Sequence, residues 1–103
     1  MSEFLKVAEV SDIPPGSVKH FVVLGHHIAL CNVSGTFYAL DNFCIHRGGP
    51  LSEGYLDGDK LECPWHGWKF DVKTGQLTLD PHMGVATYAV KINGSDVFVA
   101  IEA

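Results

Sequence analysis

Cys44-Ile45-His46 and Cys63-Pro64-Trp65-His66 are two short pairs of metal-binding side chains, with sixteen residues between His46 and Cys63. A pair spaced by one or two residues lets both side chains converge on one centre from a tight loop. Two such loops then close around it from opposite sides. Thiolate and imidazole together suit zinc, iron and iron–sulfur centres far better than calcium or magnesium. The neighbours narrow the choice. His46 runs into Arg47-Gly48-Gly49-Pro50-Leu51, and Gly67 follows His66. Glycine at such positions permits positive φ and lets backbone amides approach a bound anion. Bridging sulfides accept those N–H groups, whereas a zinc site has less use for them. Pro64 fixes φ inside the second pair. Zinc held by two Cys and two His is the nearest rival, but zinc-finger pairs are usually spaced C-x2–4-C and H-x3–5-H.

Loops of this kind need a rigid frame, and the flanks supply one. Short β-type runs occupy both ends of the 103-residue chain: Phe4 to Val10, Val18 to Leu24, Ile28 to Val33, Phe37 to Leu40, Ala86 to Ile92 and Val97 to Ile101. Ile13-Pro14-Pro15-Gly16, Gly25, Ser34-Gly35 and Asn93-Gly94-Ser95-Asp96 punctuate them, and Asn-Gly between alternating apolar runs signals a hairpin. No stretch keeps a helical period beyond about two turns. The pattern predicts an all-β sandwich or barrel of short antiparallel strands, a single domain over 1–103. Residues 41–85 are rich in Gly, Pro, Asp, Cys, His and Trp and are expected to form an irregular insert. Its strands look too short to make a sheet alone, and the base around it is formed by 1–40 and 86–103.

Twelve acids against seven bases give a formal net charge of −5. That argues against nucleic acid, which calls for a basic face, and is compatible with docking onto a basic protein surface. No apolar run approaches the roughly 18 residues that cross a membrane, and Met1 to Lys6 show no signal-peptide pattern. The expectation is a cytoplasmic protein, monomeric in solution, without membrane contact. Three cysteines fit metal ligation plus one bystander thiol better than a disulfide framework.

The pattern Cys-x-His, sixteen residues, Cys-x-x-His resembles the Rieske family. Leu51-Ser52-Glu53-Gly54 and Gly67-Trp68-Lys69-Phe70-Asp71 resemble it too, and the chain has the length of a stand-alone Rieske ferredoxin. The resemblance implies a small antiparallel Rieske-like fold with a cluster-binding loop subdomain and one 2Fe–2S cluster. Cys44 and Cys63 would hold one iron, and His46 and His66 the other, through Nδ1. High-potential members of the family, found in respiratory complexes, add a loop disulfide and Ser and Tyr hydroxyls that bond to sulfur. At the matching positions this chain has Gly49, Trp65, Trp68 and Phe70, which offer neither. A potential near the low end of the Rieske range of roughly −150 to +300 mV is expected.

By the same resemblance the chain is a one-electron carrier rather than an enzyme. It would pass electrons from an NAD(P)H-dependent ferredoxin reductase to a terminal Rieske-type oxygenase, as the ferredoxin of a dioxygenase system. The alternative is a cluster-bearing small subunit of an assimilatory nitrite reductase, partnered by a large sirohaem subunit. An oxygenase itself is disfavoured, because the chain leaves no room for a catalytic domain with a two-His-one-carboxylate iron. Among the remaining residues, Cys31 is expected to be a buried small side chain. His20 is expected on an exposed strand position, and His26 and His27 in a turn facing water. Pro81 and His82 belong to a loop that could cover the cluster, and Trp65 and Trp68 to an apolar rim. Glu53, Asp57, Asp59 and Glu62, with only Lys60 opposing them between the ligand pairs, form a candidate docking patch.

Overall fold

A computed structural model describes residues 2–43, 50–64, 67–80 and 82–102. Turn chemistry sets the first hairpins. β2 (Val18–Val23) and β3 (His26–Val33) are joined by Leu24-Gly25, with φ of 50° and 81°. β3 and β4 (Thr36–Asp41) are joined by Ser34-Gly35, with φ of 52° and 95°. Two consecutive positive φ values match the right-handed twist of the strands they connect. β8 (Thr87–Tyr88) adds to β4, giving the order β2-β3-β4-β8. A second antiparallel sheet has β10 (Asp96–Glu102) between β1 (Ser2–Glu9) and β9 (Val90–Asn93). Its β9–β10 hairpin turns on Gly94-Ser95, and Asn93 closes the ladder opposite Asp96. The predicted all-β antiparallel architecture is the one observed.

The four-stranded sheet is the middle layer. Ile28, Leu30, Phe37 and Ala39 pack with Val97, Val99 and Ile101 of the second sheet, while Ala29, Cys31 and Leu40 point the other way. This is why Ile28-Ala29-Leu30-Cys31 is fully buried at every position and carries no polar alternate. Each large side chain so buried contributes roughly 1.5–3 kcal/mol.

The opposite face is covered by the insert, which differs from the expectation. It forms its own three-stranded sheet: β5 (Tyr55–Asp57), β6 (Lys60–Glu62) and β7 (Lys69–Asp71). Leu61 and Phe70 face each other across β6 and β7, are fully buried, and share a core with Ala29, Cys31, Leu40, Leu51, Val72, Leu77 and Val85. Three-residue strands are stable here because that common core anchors them. His26 and His27 are a second correction, since both lie in β3 and are half-buried, the turn being Leu24-Gly25. His20 is exposed as expected, and its Nε2 lies 2.9 Å from Nδ1 of His27.

Candidate metal centre

The described residues define the roots of both ligand loops. At the first, Phe43 and Pro50 form an antiparallel bridge. Asn42 draws the neck closed: its backbone carbonyl accepts the Leu51 N–H (2.6 Å) and its Oδ1 accepts the Ser52 N–H (2.9 Å). The Asn42 N–H donates in turn to the His27 carbonyl (2.9 Å), which ties the neck to β3. The His27 ring packs on Phe43 with centroids 5.0 Å apart. At the second root, β6 and β7 end in the bond from Cys63 N–H to the Trp68 carbonyl (2.7 Å), and Gly67 takes φ 69°. Cys63 is 1% exposed and belongs to the insert's core, against which Trp68 packs half-buried. Cys44, His46 and His66 lie outside the described residues, as do Gly49, Trp65 and Pro81.

The two roots touch. A Cβ on Gly54, in the turn leaving the first loop, would collide with the Glu62 carbonyl oxygen and lie 3.1 Å from Cδ of Pro64. Only glycine permits this approach, which carries the exit of the first loop against the entrance of the second. A third loop is rooted beside them: Thr78 N–H donates to the Lys69 carbonyl (2.9 Å), and Leu77 N–H to the Met83 carbonyl (2.8 Å). His82 in that loop is exposed. So are the apolar Phe43 (41%), Leu79 (76%) and Met83 (41%), which crown these roots.

The acidic run is not opposed by Lys60 alone. Lys69 reaches across from β7 to Asp57 (3.5 Å) and Glu62 (3.9 Å), and Lys73 reaches Asp59 (3.6 Å). Lys60 bonds Asp59 (2.7 Å) and lies 3.7 Å from Asp71. Its hydrogen bond holds the Asp59 carboxyl below the ordinary carboxylate range. Asp57, Asp59 and Glu62 of the run thus each face a lysine. Cys31 has the chemistry of a core side chain, its thiol pushed up to about 12 by burial.

The chain matches the Rieske [2Fe-2S] domain over residues 3–89. It belongs to that family. The ferredoxin component of the naphthalene 1,2-dioxygenase/salicylate 5-hydroxylase systems of Ralstonia sp. is 40% identical over 96% of both chains. A solved chain from the complex of reduced oxygenase and oxidized ferredoxin in carbazole 1,9a-dioxygenase superposes with a TM-score of 0.86. It is 37% identical, covering 94% of this chain and 92% of that one. A putative NADH-dependent nitrite reductase small subunit from Mycobacterium tuberculosis superposes at 0.91 over 100% and 98%. At 20% identity it shares the fold.

The cofactor of this Rieske domain is therefore a 2Fe–2S cluster, and the structure fits one. Cys63 offers a thiol at the mouth of a glycine-containing hairpin tip. The Asn42 carboxamide, fully buried at the neck of the first loop, keeps an Nδ2 without an acceptor among the described residues. Asn42 and Gly54 were not singled out from the sequence. The Leu-Ser-Glu-Gly stretch carried a signal for Gly54, whereas nothing in the local pattern marks Asn42.

Proposed function

We propose that Cys44, His46, Cys63 and His66 hold the cluster, the cysteines on one iron and the histidines on the other. We propose further that the chain carries single electrons from an NAD(P)H-dependent ferredoxin reductase to a terminal Rieske-type oxygenase. Identity of 40% to a dioxygenase ferredoxin component across nearly the full length of both chains is the observation that carries this reading. When bound, the cluster supplies a one-electron couple. The protein's own part is positional. Asn42, Gly54 and the Cys63–Trp68 pairing hold two ligand loops together on one buried core, which excludes water from beneath them. Phe43, Leu79 and Met83 offer a partner an apolar rim around the loop roots.

The chain is one domain, with residues 41–85 carrying the cluster and 1–40 and 86–103 the base. No helix among the described residues is long and apolar enough to cross a membrane. A cytoplasmic setting agrees with the absence of a second cysteine in either ligand loop, since reducing compartments disfavour disulfides.

Serine at Cys44 or Cys63, or alanine at His46 or His66, should each abolish the reddish-brown absorption and bound iron and sulfide, while Cys31→Ser retains them. Wild-type protein should be reduced by NAD(P)H only when the reductase is present, and reoxidised by the oxygenase. A coloured Cys63→Ser variant with full iron would remove the ligand assignment. Co-purification with a large sirohaem subunit would replace the oxygenase reading by that of a nitrite reductase.

A further inference from the structure

Asn42 is fully buried, and all but one of its polar groups is used. The backbone N–H donates to His27, the backbone carbonyl accepts from Leu51, and Oδ1 accepts from Ser52. The amide Nδ2, with two hydrogens to give, has no acceptor among the described residues. Burying a donor without an acceptor is costly, so such a group in a folded core calls for a partner. Its position is informative. Asn42 stands two residues before Cys44 and bonds both residues that follow Pro50, so its carboxamide lies at the neck through which the first ligand loop enters and leaves.

We propose that Asn42 Nδ2 is a hydrogen-bond donor to a sulfur of the bound cluster, either a bridging sulfide or a ligand thiolate. Sulfur in this setting is an acceptor whose negative charge grows on reduction, so a fixed N–H strengthens its bond in the reduced state and raises the potential. High-potential relatives are expected to use hydroxyls for this purpose. Here Phe70 and Trp68 carry none, and a carboxamide from the opposite loop takes part of that role. The inference rests on the placement of Cys44 and His46 as ligands.

The test uses holoprotein labelled with 15N only at asparagine side-chain amides. Asn32 and Asn93 are the other two asparagines. Asn32 binds the Ile13 carbonyl between the β1–β2 connection and the β3–β4 turn, and Asn93 ends β9, so neither sits at a ligand loop. Pulsed electron paramagnetic resonance of the reduced cluster should show a weak 15N coupling. Asn42→Leu should abolish it and shift the oxidised–reduced equilibrium about threefold or more toward the oxidised form. A loaded, reducible wild-type cluster without 15N coupling would overturn the proposal, and Nδ2 would then bond backbone of the loop. An Asn42→Leu potential equal to wild type would also overturn it. If Asn42→Leu fails to fold, the wild-type coupling alone decides. Failure of the ligand assignment would look different, as a Cys44 variant that keeps its cluster.

Discussion

Cys31 and Cys63 are both buried, 0% and 1% exposed, yet they lie in different chemical settings. Cys31 is surrounded by the core of the middle sheet, and with its thiol pushed up to about 12, only about one part in ten thousand is thiolate at pH 8. Iodoacetamide at that pH should leave Cys31 unmodified in the folded protein and alkylate it fully in guanidinium, as mass mapping can show. Fast native alkylation would mean that the strand opens far more readily than its packing implies. Cys63 sits where the same core meets a loop tip, one hydrogen bond from Trp68. The difference was legible in the sequence. Cys31 lies in an unbroken apolar run, whereas Cys63 stands before Pro64 and three residues from a histidine in a polar, glycine-rich stretch. Asn42 was not legible, because its importance comes from Leu51 and Ser52 returning to it across a loop. His27 was read as a turn residue for a related reason. Leu24 takes the positive φ that the hairpin requires, and a leucine gives no sequence sign of doing so.

At the scale of elements, the longer base strands announced themselves because each shows its period and is bounded by Gly, Pro or Asn-Gly, whereas the run Ala86 to Ile92 divides into β8 and β9 of different sheets with no such sign between them. The strands of the insert were illegible. A three-residue strand has one inward position, and one residue cannot display alternation, so Leu61 and Phe70 reveal a sheet only when the register pairs them. Their outward neighbours explain the acidic run, whose partners Lys69 and Lys73 come from beyond the second ligand pair in sequence. Gly54 is the element-scale joint between the loops. Gly54→Ala would drive a methyl into the Glu62 carbonyl and so separate the Leu51–Gly54 turn from the second root. The expected result is a loss of about 2–4 kcal/mol in denaturant unfolding, by analogy with overpacked and strained sites, together with weaker cluster retention under chelator. Alanine at Gly58, whose Cβ position is open but whose φ is 60°, should cost about 1 kcal/mol and leave retention unchanged. Equal retention in both variants would show that the Gly54 contact does not join the loops.

Across the whole molecule, three layers share two cores, and β3 and β4 of the middle sheet contribute buried side chains to both. The loop roots stand on the core shared with the insert, while the apolar rim of Phe43, Leu79 and Met83 stays exposed. A well-packed base beneath an exposed apolar rim suits a carrier that exchanges electrons without rearranging. No hydroxyl stands at the two positions beside the second ligand pair: Phe70 is a fully buried hydrocarbon, and Trp68 packs on the core. An anaerobic redox titration of the purified chain, followed by visible absorption, tests the account most directly. It should give a single one-electron wave from a reddish-brown protein, with a midpoint in the lower part of the Rieske range and below about 0 mV. A midpoint well above about +100 mV, or a colourless protein that takes up no electron, would contradict it.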